Sequence, residues 1–265
     1  MQHTGIISKM ITELAEPVQY QLPVGEELVS MNNLLGSEIT IKWLGKIHCL
    51  KCGRVTKRSF AQGYCYPCFI SIPETEECVL RPELCRAHEG VARDLVWAQE
   101  HCLQDHYVYL ALSSEMKVGV TRQSQVPERW VDQGAWKVIE FAKTPNRYVA
   151  GLIEVELKRH ITDKTNWREM LTNQLAKHVV LEDEKLRLKP LLPSSLQPYV
   201  LDENNIVEIE YPVNQYPQKI TSIDLEKTPA SGKLNGIKGQ YLIIDYGKVI
   251  NIRKYGGYLV EINVK

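Results

Sequence analysis

The 265-residue chain lacks a net charge and lacks any long hydrophobic run. Lys and Arg together number 32, and so do Asp and Glu, which excludes a protein that is basic all over. The longest apolar runs, such as residues 107–112, have strand length and fall far short of the roughly 18 residues of a membrane helix. We therefore expect no membrane partner. The start of the chain also lacks the apolar segment of a signal peptide, which predicts a cytoplasmic protein with reduced cysteines.

Acidic residues are missing from residues 42–73, here called the basic ribbon, although the whole chain is neutral. Aromatic side chains are interleaved with its basic ones, and this mixture is typical of surfaces that bind phosphates and stack on bases. The ribbon therefore predicts a nucleic-acid partner, either DNA or RNA. A solvated face whose aromatics pack a small core is the alternative. The basic residues are Lys42, Lys46, Lys51, Arg54, Lys57 and Arg58.

All seven cysteines lie between positions 49 and 102, whereas cysteines used only as small hydrophobic residues would scatter along the chain. Two Cys-x-x-Cys pairs separated by twelve residues have the spacing of a four-cysteine zinc ribbon. A disulfide framework is disfavoured in a reducing compartment. We predict a structural zinc site whose ligands are Cys49, Cys52, Cys65 and Cys68.

The other three cysteines, Cys78, Cys85 and Cys102, predict a second zinc site together with His88. A proline at position 82 suits the first turn of a helix running to about residue 101, which would place Cys85 and His88 one turn apart on one face. His106 is a competing ligand. Three reduced, buried thiols beside a surface histidine are the alternative.

The pattern along the chain predicts an α+β protein in which a zinc ribbon is joined to a small α/β module and a β-rich C-terminal part. Similar glycine-flanked strand patterns near both ends suggest that the terminal β segments co-fold into one barrel or sandwich, with the other parts inserted. Alternatively, the two hairpins merely look alike. The predicted segments are an N-terminal β segment at 1–48, a zinc-binding region at 49–105, an α/β module at 106–180, a linker at 181–205 and a C-terminal β domain at 206–265.

Within the module, residues 106–112 and 116–121 predict a β-hairpin. A short helix opened by Pro127, a strand at 136–141 and a helix at 148–160 follow. This order, with the motifs Tyr107-Val108-Tyr109 and Lys117-Val118-Gly119-Val120-Thr121, resembles the GIY-YIG nuclease superfamily, particularly the branch whose second motif reads Lys-hydrophobic-Gly. The whole chain is also similar to an uncharacterised bacterial family that joins such a module to a cysteine-rich one.

The resemblance implies that Tyr109 stands in the place of the catalytic tyrosine, Arg129 in that of the helix arginine and Glu154 in that of the glutamate that binds Mg²⁺ or Mn²⁺. Phosphodiester hydrolysis needs an activated water, a cation on the phosphoryl oxygens and an anchored divalent metal, and these residue types supply them. The resemblance thus implies a metal-dependent endonuclease. The alternative is a non-catalytic adaptor that binds RNA or protein.

Two departures from the superfamily fall within this site. Lys117 stands where most of these nucleases have tyrosine, so either the lysine takes part in proton transfer, which requires a lowered pKa, or the site only binds phosphate. The spacing from Gly119 to Arg129 is also longer. Asn166 is the candidate for the superfamily's asparagine, but its position before Glu169 is better explained as a helix cap.

Each of these residues also has a structural interpretation. Tyr109 could be a core tyrosine of a strand and Lys117 a lysine whose stem lies along apolar surface. Glu154 could be half of a surface ion pair with Lys158, four residues on.

Overall fold

The computed structural model describes residues 1–161 and 166–265, and residues 162–165 lie outside this description. The described residues form three β-sheets and six α-helices, which confirms the α+β class. No helix in these two ranges combines the length and the apolar character needed to cross a membrane.

The strands are β1 Gln2–Ile6, β2 Ile11–Glu13, β3 Gln19–Val24, β4 Glu27–Ser30, β5 Glu38–His48, β6 Val55–Thr56, β7 His106–Leu112, β8 Met116–Arg122, β9 Lys137–Thr144, β10 Ile206–Glu208, β11 Thr221–Ser222, β12 Ala230–Lys238, β13 Tyr241–Ile244, β14 Lys248–Asn251 and β15 Tyr258–Val264. The helices are α1 Tyr66–Ser71, α2 Leu95–His101, α3 Glu128–Asp132, α4 Arg147–Leu157, α5 Trp167–Leu171 and α6 Leu181–Leu188. Short 3-10 turns connect several of them.

The largest sheet joins strands from both ends of the chain. Its order is β1-β15-β5-β12-β13-β14-β11, with β6 paired to the far end of β5. The long strand β5 lies between β15 and β12, and the register sets Ile41 opposite Ile262. Because β1 and β11 are the two edges, this sheet is open, and the predicted barrel is not formed by the described residues.

A three-stranded sheet, β2-β3-β4, shares the core of the large sheet. Its central strand β3 alternates between buried and more exposed residues, which is the pattern of a strand with one face on a core. Tyr20 and Leu22 of β3 are buried in the same cluster as Ile41 and Ile262 of the large sheet. The terminal β segments therefore fold together around one core.

The third sheet has the order β10-β9-β7-β8 and is entirely antiparallel. The central strand β7 is almost wholly buried, because helix α4 packs on one face and the large core lies on the other. Its side chains alternate accordingly: Leu110 belongs to the α4 side and Tyr109 to the large core. Helix α4 begins where Asn146 Oδ1 accepts the backbone N–H of Val149 at 3.0 Å.

Residues 181–205 differ from the predicted linker, because their apolar side chains complete the module core. Leu181, Leu188 and Leu192 are buried there, and the buried Lys185 Nζ donates to the carbonyl of Glu140 at 3.0 Å. Residues 206–208, assigned from the sequence to the C-terminal β domain, form β10 on the edge of the module's sheet. The prolines in this stretch thus mark turns over a packed surface.

The helix predicted from Pro82 to about residue 101 is wrong. The chain instead forms 3-10 turns at Pro82–Leu84 and Ala87–Glu89, and Gly90 with a φ of 78° ends the second turn. Helix α2 starts later, where Asp94 accepts the backbone N–H of Trp97 at 2.9 Å. Cys85 and His88 consequently do not share a helix face.

Candidate metal centres and a candidate active site

The first candidate metal centre contains the four cysteines that the spacing predicts. The sulfurs of Cys49, Cys52, Cys65 and Cys68 all lie within 4.8 Å of one another. Four thiolates at about 2.3 Å from one zinc ion are about 3.8 Å apart, and the sulfurs of Cys52 and Cys65 are 3.8 Å apart. The cluster could therefore hold one tetrahedral zinc ion.

Local backbone geometry explains how the first pair of cysteines forms a knuckle. Cys49 follows β5 directly and its backbone N–H donates to the carbonyl of Arg54 at 2.9 Å, while Gly53 N–H donates back to the carbonyl of Cys49 at 2.8 Å. Gly53 has a φ of 71°, a conformation that favours glycine. Burial opposes ionisation of Cys49, but backbone N–H donors around the sulfur outweigh it and lower its pKa to about 6.

The basic side chains of the ribbon lie in solvent. All six are exposed, and Lys51 Nζ forms an ion pair with Glu74 at 2.7 Å. The aromatic rings largely contact one another: Phe60 stacks on Phe69 with centroids 5.7 Å apart and lies 5.4 Å from the ring of Tyr66. Three of the ribbon's aromatic side chains therefore pack against one another, although Tyr66 is 55% exposed.

The second candidate centre contains three cysteines. The sulfurs of Cys78, Cys85 and Cys102 lie within 4.8 Å of one another, and all three residues are buried. Within the described residues, no fourth cysteine, histidine or carboxylate joins this cluster. The three thiols could bind zinc, with a cavity of about 160 Å³ beside them.

His88, the predicted fourth ligand, lies outside this cluster, and its part in a zinc site stays a prediction. Its ring stacks on Tyr148 with centroids 4.4 Å apart. A guanidinium nitrogen of Arg147 instead approaches the sulfur of Cys78 at 3.5 Å, and the same guanidinium donates to the carbonyl of His101 at 3.1 Å. The competing ligand His106 also lies outside the cluster, and its Nδ1 donates to the carbonyl of Gln104 at 2.7 Å.

A different cavity, of about 220 Å³, lies along the edge strand β8. Lys117 of β8, Arg129 of α3 and Glu154 of α4 line it, although they are far apart in sequence. Tyr109 lies behind Gly119, its cross-strand partner on β8, and is fully buried. The four residues predicted to form one site are therefore brought together.

Two close approaches in this region require glycine. A Cβ atom at position 119 would lie 2.5 Å from the Tyr109 hydroxyl oxygen, so the ring fits only against a bare backbone. A Cβ at position 151, on helix α4, would overlap the backbone of Pro82 and Glu83. The second contact sets the cysteine-rich segment directly on α4, where Val79, Leu80 and Pro82 form a wall of the cavity.

Burial shifts the pKa values of the two candidate proton-transfer groups, Tyr109 and Lys117, in opposite directions. It raises the pKa of Tyr109 to about 12, against the opposing effect of the Arg129 charge. It lowers the pKa of Lys117 to about 7, and the nearby Arg129 contributes in the same direction. At neutral pH the tyrosine is therefore protonated, whereas a large fraction of the lysine is neutral.

Glu154 is 8% exposed and lines the cavity, which differs from a surface position. Lys158 Nζ lies 3.4 Å from its carboxylate, so the ion pair expected for this spacing is present as well. No cluster of three potential metal ligands within the described residues includes Glu154. A divalent cation here would rely on one carboxylate, as Mg²⁺ often does when it keeps several waters and binds substrate phosphate.

Asn166 has the role expected of a helix cap. Its side-chain oxygen accepts the backbone N–H groups of Arg168 at 3.1 Å and Glu169 at 3.5 Å at the start of α5. It is not among the residues lining the cavity along β8.

Sequence reasoning missed most of what surrounds the four residues. Gln133 lines the same cavity, and so does Leu80 from the cysteine-rich segment. An adjoining cleft of about 380 Å³ is lined by Arg122, Arg129, Arg147 and Arg253. The glycine at position 151, inside a helix, indicates that another segment packs closely there. The local sequence pattern does not identify that segment.

Comparison with known proteins identifies a family but no activity. Residues 36–260 match the family described as "Protein of unknown function (DUF2797)". No curated protein and no solved structure matches the chain. The resemblance to GIY-YIG nucleases finds no support in these comparisons and stays a prediction. Since the family match covers most of the chain, the protein belongs to the DUF2797 family.

Proposed function

We propose that this protein is a zinc-containing, divalent-metal-dependent endonuclease that hydrolyses phosphodiester bonds with a GIY-YIG-like module. One observation carries the proposal: Lys117, Arg129 and Glu154, from three different elements, line one cavity, and Tyr109 packs directly behind Gly119 in its wall. Buried ionisable side chains gathered in a cavity are costly for stability, which favours a functional explanation.

In this proposal Lys117 is the general base. A neutral amine can accept a proton from water, and a pKa of about 7 makes the neutral form abundant at neutral pH. Tyr109, whose pKa burial raises to about 12, keeps its proton and donates a hydrogen bond that orients water or a phosphoryl oxygen. The lysine that departs from the usual tyrosine motif therefore suits proton transfer.

Arg129 and Glu154 supply the remaining functions. The guanidinium would hold the charged phosphoryl oxygens, for which its planar set of donors is well suited. Glu154 would hold Mg²⁺ or Mn²⁺, which when bound adds positive charge to the site. Overall one water is consumed: its oxygen bonds to phosphorus, the bond to the leaving sugar oxygen breaks, and that oxygen takes up a proton.

The cysteine clusters would be structural zinc centres in this proposal. The four-cysteine cluster would fix the ribbon between β5 and α1. The three-cysteine cluster would hold the segment that supplies Leu80 and Pro82 to the wall of the cavity. Zinc would thus stabilise the site without touching the substrate.

The test is cleavage of single- and double-stranded DNA and RNA by the full chain with Mg²⁺ or Mn²⁺. We expect Glu154→Gln to reduce cleavage about 100-fold or more, because the carboxylate that would hold the divalent metal is lost. Glu156→Gln on the same helix is the matched control, because Glu156 pairs with Arg159 and does not line the cavity. Cleavage that survives Glu154→Gln would show that the activity comes from another site or from a contaminant.

A non-catalytic adaptor that binds RNA or protein is the second candidate. The ion pair between Lys158 and Glu154 favours it, because a carboxylate held by lysine has less capacity for a metal ion. This candidate predicts binding of RNA or a protein without cleavage under every metal condition, and no change in that binding when Mg²⁺ or Mn²⁺ is added.

A further inference from the structure

The cleft beside the candidate active site carries an excess of positive charge. Five cationic side chains and three carboxylates line its volume of about 380 Å³. Lys9 lies 2.5 Å from Glu128 and 3.2 Å from Asp132, and Glu74 is paired with Lys51 outside the cleft. When Lys51 is counted with the five cationic side chains of the cleft, six positive charges face these three carboxylates, which leaves a formal excess of three. The cationic side chains are Lys9, Arg122, Arg129, Arg147 and Arg253.

The arginines come from separate parts of the fold and face one cavity. Arg122 ends β8, Arg147 begins α4 and Arg253 lies in the 3-10 turn Ile252–Tyr255 of the C-terminal β part. Burial lowers the pKa of Arg122 and of Arg253, and repulsion by one neighbouring arginine lowers each of them further, although the Glu128 carboxylate acts in the opposite direction on both. Such mutual repulsion is costly in the free protein and would be relieved by a bound anion.

A neutral acceptor accompanies these charges. His106 is 1% exposed and lines the cleft, and its Nδ1 must carry the proton because it donates to a carbonyl. Burial lowers the pKa of His106 to about 4, so Nε2 is a bare acceptor at neutral pH. Among the described residues, Nε2 has no hydrogen-bond partner. A ligand that combines anionic groups with a hydroxyl or N–H donor would complete the cleft.

Arg129, Val120 and the wall of Leu80 and Pro82 line both this cleft and the cavity along β8, so the two are continuous. We infer that the cleft binds the phosphodiester backbone of a single nucleic-acid strand adjoining the bond to be cut, a role that rests on the proposed function. The volume lies near the lower end of ligand pockets, about 300–1,000 Å³, which suits a short stretch of one strand and not a duplex.

Binding of labelled oligonucleotides in the Glu154→Gln background tests this inference without cleavage. We expect Arg122→Gln combined with Arg253→Gln to weaken binding of single-stranded DNA or RNA about tenfold or more. The matched control replaces two ribbon arginines, Arg54→Gln with Arg58→Gln, and should change the affinity less than twofold. Arg147 is left intact because it also contacts Cys78 and His101.

Thermal unfolding shows whether the cleft variant folds. If it does not fold, a second variant, Arg122→Lys with Arg253→Lys, keeps both charges and can be tested in its place. The lysine variant should bind better than the glutamine variant, and equal binding by the two would count against the inference. The inference would be overturned if a folded cleft variant bound oligonucleotides as tightly as the parent protein. It would also be overturned if the protein preferred a duplex, or if it bound a free mononucleotide but no oligonucleotide. Absence of cleavage by the unmodified chain, with this binding pattern intact, would overturn the proposed function alone.

Discussion

The ribbon and the cleft are both cationic, but they differ in the environment of their charges. The six basic side chains of the ribbon are exposed, and three of its aromatic rings pack against one another. The cleft arginines are partly desolvated and repel one another within one cavity. Exposed charges are screened by salt and water, whereas charges in a cavity interact strongly with a bound anion. We therefore expect a phosphate to bind more strongly in the cleft than on the ribbon.

The sharpest test lies in the cavity beside the cleft and is Lys117→Gln, which we expect to lower hydrolysis about 100-fold or more because the general base is lost. In the unmodified chain the rate should rise with pH through about 7, since protonated Lys117 cannot accept a proton. This rise should vanish from the residual activity of the variant. Lys137→Gln, whose lysine pairs with Glu208, is the control and should keep both the rate and its pH dependence.

Tyr109→Phe should have a smaller effect, a loss of about tenfold in hydrolysis. The ring remains to fill the core, so the thermal unfolding midpoint should stay close to that of the unmodified chain. Steady-state kinetics and a melting curve on the same sample would measure both. An unchanged rate would remove the tyrosine from the proposed mechanism and leave it as the core residue that the sequence also allowed.

Removing one ligand of the four-cysteine cluster disturbs the ribbon without replacing any cleft arginine. Cys65→Ser should lower the zinc content by one equivalent and destabilise the ribbon, because metal binding contributes folding free energy. Affinity for single-stranded oligonucleotides should fall less than in the Arg122→Gln, Arg253→Gln variant. If Cys65→Ser lost more affinity than the Arg122→Gln, Arg253→Gln variant while its other parts stayed folded, the ribbon would be the main binding surface.

Local patterns predicted several parts of the molecule well. The ligand set Cys49, Cys52, Cys65 and Cys68 could be read from spacing, because a knuckle is built by neighbouring residues. The hairpin of β7 and β8 followed from strand patterns separated by a tight turn. Of the four residues taken from the GIY-YIG resemblance, three line one cavity and Tyr109 packs behind its wall, although no comparison establishes the roles that the resemblance assigns to them.

Other parts depend on contacts that no local pattern contains. Strand β12 has a weak strand pattern because it contains Gly232, Asn235 and Gly236, and its neighbours in the sheet supply the pairing. Pro82 was taken as the start of a helix, whereas its segment is held against Gly151 of α4. The cleft joins arginines more than 100 positions apart, and this depends on how the β part packs on the module.

The salt dependence of single-strand binding tests the central claim most directly. Each phosphate contact that is lost should reduce the slope of log Kd against log salt concentration by about one. We predict a reduction of about two for Arg122→Gln with Arg253→Gln, and the unmodified slope for Arg54→Gln with Arg58→Gln. The reverse result, a lower slope for the ribbon variant and an unchanged slope for the cleft variant, would contradict the account.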